Sequence, residues 1–239
     1  MKYLDLTLPT PAQNLACDEA LIDFCEADND VEILRFWQSS QYFVAVGYAN
    51  RVAAEVNLEE CRRRQIPVLR RCTGGGTVLQ GPGCLNYALV LRIESRNSLQ
   101  SITATNCYIM KRHQETLQKV TGLAISVQGF TDLAIGGLKF SGNAQRRKRD
   151  YVLFHGSFLL DFDIALVEKL LRMPSKQPAY RANRSHADFL TNLSVPAAMV
   201  KQALQRCWNA NEPLAEVPWN GIDRLMNEKY GRDAWNLKH

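Results

Sequence analysis

Three short segments of the chain combine charge, glycine and small hydroxyl residues in ways that could do chemistry. In the first, Arg70 and Arg71 precede Gly74, Gly75 and Gly76, which run into Thr77, Val78 and Leu79. Three glycines in a row cost conformational entropy and are kept where dihedrals or close approach exclude a Cβ. Backbone N–H groups free to converge beside two guanidinium groups make a candidate site for a carboxylate or phosphate. It is not a P-loop, because Thr77 and Val78 stand where the lysine and hydroxyl residue of that motif belong. Taken alone, the triplet reads as well as a flexible turn. The second segment, 136–144, places Lys139 between apolar Leu138 and Phe140, followed by Ser141, Gly142, Asn143 and Ala144. A solvent-facing strand lysine is the plain reading of that residue by itself. In the third, His155 lies inside an apolar run with Gly156 and Ser157 after it. By itself it reads as a hydrogen-bonded core histidine beside small residues that could admit a ligand.

The three together are more specific than any one. The order R-R-x-T-G-G-G-T-V, then D-L-x-I-x-G-x-K-x-S-G-x-A, then H-G-S-x-L-L-D resembles the lipoate-protein ligase family, within the wider group of biotin and lipoate ligases and octanoyltransferases. The resemblance begins at Asn14-Leu15-Ala16-Cys17-Asp18-Glu19-Ala20 and runs to Thr191-Asn192-Leu193. It implies activation of a medium-chain acid, lipoate or octanoate, with ATP and Mg²⁺ to an acyl-adenylate. The acyl group then passes to a lysine of a lipoyl acceptor domain, of the 2-oxoacid dehydrogenase E2 or glycine-cleavage H protein type. It further implies a class II biotin/lipoate ligase-like catalytic domain. Lys139 matches the catalytic lysine, where a point charge can follow developing negative charge. Arg71, Thr73, Gly74, Gly75, Gly76, Thr77 and Val78 are expected to bind substrate, as are Ser141, Gly142, Ala144, His155 and Gly156. Gln80, Asn86 and Asp132 are expected at the nucleotide, with Asp132 also at the metal, since carboxylate suits a hard cation.

Two departures stand out. Many family ligases carry a histidine where this chain has Gln80, and many carry an accessory C-terminal domain for which the residues after His155 leave no room. A separate accessory subunit, or none, is therefore expected. An alternative is an ATP-independent octanoyltransferase working through a cysteine thioester. Residues 108–206 hold no cysteine, leaving Cys72 and Cys84 beside the glycine loop as candidates; a structural role is the preferred reading of both, although Arg71 next to Cys72 is expected to lower its pKa. A non-catalytic binder of lipoyl cargo or acceptor domains is the alternative of another class. Retention of Arg71, Lys139 and Asp132 speaks against it.

Elements that must position these residues can be read from periodicity. Helices are expected over 11–27, 53–64, 98–120, 163–171, 195–209 and 221–229. Of these, 98–120 should stop at Gly122 and expose Lys111, Arg112 and Lys119. Strands are expected over 32–37, 42–46, 67–70, 77–79, 85–93, 124–128, 132–135, 138–140, 144–147 and 151–160, with Gly136-Gly137 as a hairpin turn. The stretch 174–192 reads as polar and irregular. The order implies a mixed α/β fold of α+β type, with a mainly antiparallel sheet flanked by helices.

The 239 residues are 46% hydrophobic and 22% charged, which places them in the globular range and, with no linker or repeat, predicts one domain over 1–239. No signal-peptide core or membrane-spanning run is present, so a cytoplasmic protein without a membrane partner is expected. Seven cysteines without a CxxC pair argue against disulfides and structural zinc. The net charge of +5 is clustered at 62–64, 70–71, 146–149, and at Arg181 with Arg184. No nucleic-acid motif accompanies these clusters, so no nucleic-acid partner is expected. The run 146–149, just after the lysine segment, reads by default as a solvated hairpin, and its position also suits docking of an acidic acceptor domain.

Overall fold

The computed structural model describes residues 1–27, 30–94 and 97–238. In chain order the strands are β1 (Lys2–Asp5), β2 (Ile33–Trp37), β3 (Phe43–Val46), β4 (Val68–Arg70), β5 (Val78–Gln80), β6 (Cys84–Arg92), β7 (Ile125–Gln128), β8 (Asp132–Ile135), β9 (Leu138–Arg147), β10 (Tyr151–Leu159) and β11 (Glu212–Pro213). The helices are α1 (Pro11–Glu26), α2 (Val52–Glu55), α3 (Leu58–Arg63), α4 (Ile102–Thr121), α5 (Ile164–Leu170), α6 (His186–Phe189), α7 (Ala197–Cys207), α8 (Trp219–Leu225) and α9 (Asp233–Asn236). Eight strands form one sheet in the order β11-β1-β2-β6-β10-β9-β8-β7, and β4-β3-β5 form a second. Pairing is antiparallel except for β1 with β2 and β11, and β3 with β4. This is the expected mixed fold.

Alternation along the central strands assigns their faces. Leu85, Tyr87, Leu89 and Leu91 of β6 join the apolar cluster that includes α4 and α7. Ala88 and Val90, with Trp37 of β2 and Leu153 of β10, join the cluster built on α1, α8 and the inner face of the small sheet. The site face of the large sheet is therefore the α1 face, roofed by the small sheet.

Several boundaries differ from the periodic reading. Segment 53–64 is two short helices, because Val56 leaves the helix to bridge Leu171 and Asn57 caps α3 on Glu60 N. The strands expected at 138–140 and 144–147 are one continuous β9, held through Gly142 by pairing with β10. Two strands, the four-residue β1 and the two-residue β11, were not among the expected elements. Gly122 caps α4 in the left-handed region at φ 71°, as its position implies. Arg112, however, is not on the exposed face of α4: its guanidinium lies 4.7 Å from the Trp208 ring centroid. Among the described residues no helix is long and apolar enough to cross a membrane.

The hub of the α4 face is Asn143. Its Oδ1 accepts from Tyr87 Oη at 2.6 Å and its Nδ2 donates to Thr131 O at 2.6 Å, tying β9 to β6 and to the β7–β8 turn. Gly156 stands opposite Asn143 in the β9–β10 register, and a Cβ there would fall 1.7 Å from Asn143 Oδ1 and 2.8 Å from Gly142 O. Gly156→Ala is expected to lower stability by about 3 kcal/mol in urea unfolding. A change within 0.5 kcal/mol, roughly that of a neutral surface substitution, would show that Asn143 has room to yield.

Candidate functional site

Lys139 owes its position to a β-bulge. Leu133 pairs with Ser141, but the next residue, Ala134, pairs with Lys139. The extra residue in β9 turns both Phe140 and Ser141 toward the α4 face. Lys139 and Gly142, three apart, thereby share the α1 face, on which Asp132 also lies. The Lys139 ammonium sits 2.8 Å from Asp132 Oδ1, and Tyr180 Oη donates to Asp132 Oδ2 at 2.8 Å. Burial and the adjacent carboxylate raise the Tyr180 pKa, so its phenol stays a donor. A Cβ on Gly142 would fall 2.8 Å from Lys139 Nζ. The missing side chain is the space in which the amine lies.

The backbone of Lys139 is fixed from the other side. Thr191 N donates to Lys139 O at 2.9 Å, Leu193 N to Leu159 O, and Asn192 exchanges two hydrogen bonds with the backbone of Phe162. The Thr191-Asn192-Leu193 motif is thus a staple across the ends of β9 and β10.

Beside this pair a polar chain runs through the interior. His155 Nε2 and Thr73 Oγ1 are 2.7 Å apart, His155 Nδ1 and Asp18 Oδ2 3.1 Å, and Arg35 donates to Asp18 Oδ1 at 2.5 Å and to Asn14 Oδ1 at 2.7 Å. The α1 motif is accounted for here: Asn14 ties the helix start to Leu8 and Arg35, and Asp18 orients His155. Glu19 accepts from Arg146, Lys229 and Tyr230. Burial alone would raise the Asp18 carboxyl, but Arg35 and His155 outweigh it and hold the group below its usual range. Glu19 is likewise lowered against its burial by Lys229, Tyr230 and Arg146.

The two arginines ahead of the glycines have separate jobs. Arg70 is fully buried, and among the described residues its guanidinium donates only to backbone carbonyls, those of Gly47, Tyr48, Asn50, Trp235 and Lys238. It anchors the C-terminal segment under the loop and is out of reach of an external anion. Arg71 bends over the loop, donating to Gly74 O and Gly76 O at 2.7 Å each. Among the described residues its Nη1 has no hydrogen-bond partner, so Arg71 alone is available to an anion.

The triplet is not uniform. Gly75 has φ +87°, and a Cβ there would meet Arg71 Nη2 at 2.9 Å and Ala144 Cβ at 3.7 Å, so the loop rests on β9. Its carbonyl would lie 2.1 Å from a Cβ on Gly47, and it accepts from Asn50 Nδ2 at 3.1 Å. Gly74 and Gly76 are exposed and would tolerate a Cβ. Thr77 receives a 3.4 Å contact from Asn50, and Val78 packs inward on the α1-side cluster.

The structure thus brings Arg71, Thr73, Gly75, Asp132, Lys139, Gly142, Ala144 and His155 onto one face. It corrects two others: the bulge turns Ser141 to the α4 face, where it is 2% exposed, and the room left by Gly156 serves Asn143. Gln80 and Asn86 are 8% and 2% exposed and lie deep between the sheets, away from the mouth where Asp132 stands. Tyr180, Asp18, Arg35, Asn50 and Asn143 went unassigned. Only Asp18 carried a signal, as part of the α1 motif; Tyr180 sits in an irregular stretch without periodicity.

The lowered pKa expected for Cys72 is corrected, while Cys72 and Cys84 are buried as the structural reading has them. Burial pushes the Cys72 thiol up to about 11, with Glu19 adding to the rise, and Cys84 up to about 12 by burial. Arg71 does not offset this, because Cys72 points into the interior beside Glu19 and Tyr230. The basic run 146–149 does not form a free docking face. Arg146 pairs with Glu19, Arg147 donates to Leu99 O and Lys148 pairs with Asp23, leaving Arg149 outermost. Arg146 and Arg147 also lie at the far end of β9 from Lys139.

Among the described residues no three metal-binding side chains cluster. Asp132 is a single carboxylate already shared between Lys139 and Tyr180. This donor set fits Mg²⁺ only in the manner of one protein carboxylate with phosphate and water oxygens supplying the rest.

A depressed carboxyl contributes stability that is present above its unfolded pKa, about 3.9 for Asp, and is lost as pH falls through its folded value. Wild-type unfolding free energy should therefore decline steeply below about pH 4. Asp18→Asn should start lower and decline less. Parallel curves in urea titrations between about pH 2 and 7 would show that Asp18 is not so held.

Comparison with known proteins follows the same lines. A model of the lipoyl protein ligase A/B catalytic domain matches residues 10–207. The octanoyltransferase LipM of Geobacillus kaustophilus is 25% identical, over 99% of this chain and 98% of that protein. A probable lipoate-protein ligase A of Mycoplasma pneumoniae is 29% identical over 84% of this chain, which spans 60% of that protein's length. Among solved structures, lipoate-protein ligase A bound with ATP superposes with a TM-score of 0.82 at 25% identity, covering 99% of this chain and 98% of that one. The archaeal bi-partite lipoate protein ligase of Thermoplasma acidophilum, described with its E2 lipoyl domain, gives 0.84 at 24% identity, covering 100% and 97%.

Proposed function

Because the chain belongs to the lipoyl protein ligase A/B catalytic domain family, we propose that it is an ATP-dependent lipoate-protein ligase. Its substrates are lipoate or octanoate with ATP, and its acceptor is a lysine of a lipoyl domain. The observation that carries this reading is the Lys139–Asp132 pair over Gly142 in a site without a reactive thiol. A thioester route needs a thiolate, and both cysteines flanking the glycine loop are buried with raised pKa values. A cation held beside the carboxylate instead suits acyl-phosphate chemistry, in which charge develops on carboxyl and phosphate oxygens.

In this reading Asp132 and Tyr180 orient the Lys139 ammonium toward the joined carboxyl and α-phosphate, and Arg71 turns its free Nη1 to the same anion. Thr73 and His155, locked by Asp18, line the start of the acyl chain, while Gly75 and Ala144 set its height above β9. Mg²⁺, when bound with ATP, would neutralise pyrophosphate charge, with Asp132 as its protein carboxylate. The ATP-bound ligase at 25% identity supports the nucleotide, and the E2 lipoyl domain described with the archaeal relative supports the class of acceptor. One domain over 1–239 is the corresponding proposal for the chain, with a separate subunit to supply any accessory function.

A second reading, octanoyl transfer from a carrier protein, draws on the LipM relatives that match nearly end to end. The two are separated by the mass of an apo lipoyl domain incubated with lipoate, ATP and Mg²⁺, or with octanoyl carrier protein alone. Modification only in the first mixture is expected. Modification in the second that disappears in Cys72→Ser or Cys84→Ser would replace the ligase reading. Lys139→Ala should abolish adenylate formation, and Gly142→Ala, by displacing the amine, should lower kcat at least tenfold (about 1.4 kcal/mol in barrier) without loss of fold. Wild-type kcat in Lys139→Ala would remove that residue from the mechanism.

A further inference from the structure

Glu55, at the end of α2, is 4% exposed, yet among the described residues it pairs with no cation. A carboxylate so placed is costly unless its oxygens are hydrogen-bonded. Here both are, by donors from different parts of the chain. Oε2 accepts from Asn50 Nδ2 at 2.8 Å and Oε1 from Ser175 Oγ at 2.9 Å. The backbone repeats the second link, since Arg172 N donates to Glu55 O at 2.9 Å and Val56 bridges Leu171.

Each arm of the carboxylate leads to an anchor of the site. The Asn50 amide has two hydrogens; Glu55 takes one, and the same Nδ2 donates to Gly75 O at 3.1 Å. Arg71 is folded onto Gly74 O and Gly76 O, so the position of that loop is the position of its guanidinium. The other arm enters the chain at Ser175, five residues before Tyr180, whose hydroxyl donates to Asp132 beside Lys139. Pro178, with its fixed φ, and the turn Ala179–Arg181 make the intervening chain stiff. The Glu55 charge also acts on Arg71, opposing the fall in its pKa that burial causes.

We propose that Glu55 is a positioning residue that sets the spacing of the two cations of the site, Arg71 and Lys139, by holding the glycine loop and the 172–181 segment on one carboxylate. The proposal rests on the reading of the site as one that forms an acyl-adenylate, in which both cations meet one developing charge. Stabilisation of that kind depends on groups already in place, and a misplacement of about 1 Å is enough to cost about a hundredfold. The role is one of geometry rather than charge. A glutamine at 55 accepts from Asn50 through its oxygen and donates to Ser175 Oγ through its amide, so it keeps both arms.

Pyrophosphate release from lipoate and ATP by the full chain tests this, together with limited trypsin digestion of the same variants read by mass spectrometry. Glu55→Ala is expected to lower kcat at least tenfold, and Glu55→Gln to recover most of the loss. Asn50→Ala and Ser175→Ala should each lower kcat severalfold in the wild-type background and add nothing in Glu55→Ala. Trypsin should report the same link across the site: Asn50→Ala should speed cleavage after Arg172 and Lys176, and Ser175→Ala cleavage after Arg71. Circular dichroism verifies that each variant folds, and Ser175→Ala, at an exposed residue, serves if Glu55→Ala does not. Glu55→Gln as impaired as Glu55→Ala, multiplying effects of the two arm substitutions, or faster cleavage only on the substituted arm overturns the proposal. Wild-type protein that releases no pyrophosphate overturns the ligase reading, while the cleavage pattern still decides whether Glu55 joins the two segments.

Discussion

The face on which each side chain of β9 emerges is the constraint on which the site depends. In an unbroken strand, Lys139 and Gly142 would point to opposite sides of the sheet. One inserted residue at the Leu133/Ala134 step removes that conflict. Asp132, Lys139, Gly142, Ala144 and His155 then share the α1 face, while Phe140, Ser141 and Asn143 hold β9 against the α4 face. The same irregularity that assembles the charged mouth also supplies the anchors that keep it still.

Around that face, charge is divided by depth. The deepest ion pair, Arg35 with Asp18, is fully enclosed and additionally hydrogen-bonded to Asn14 and His155, the condition under which buried charges are tolerated. Among the described residues Arg70 has no carboxylate partner, and carbonyl dipoles from two distant segments of the chain accept from it. The charges left partly exposed, Lys139 and Arg71, are the ones a substrate carboxylate or phosphate could meet. Deep groups thus orient the loop and His155, and shallow groups face the reaction.

The glycine loop shows how a composition signal and a structural requirement diverge. Three glycines in sequence look equivalent, yet only Gly75 has the positive φ and the close approach to Arg71 and Ala144. Gly47, a lone glycine after β3, is needed just as firmly because the Gly75 carbonyl lies where its Cβ would be. Fold class, most elements and the capping of α4 at Gly122 were legible because each follows from local periodicity, while Arg71, Lys139, Asp132 and His155 were grouped through the family resemblance that their three separate motifs carry together. Tyr180 and Asn143 were not, since their roles come from contacts between residues far apart in sequence.

By itself, the sequence determined which residue types could act and in what order they occur: a cationic glycine loop, a lysine among small residues, a histidine in an apolar strand. It also determined that no cysteine lies between 108 and 206. Only the tertiary structure decided which of these face one another. Side-chain direction in a strand has a period of two, so a single unpaired residue reverses it, and nothing in 136–144 announces that insertion. Burial likewise decided that Arg70 is an anchor while Arg71 remains available, and that Cys72 keeps its proton, because desolvation depends on packing partners that adjacent residues do not reveal.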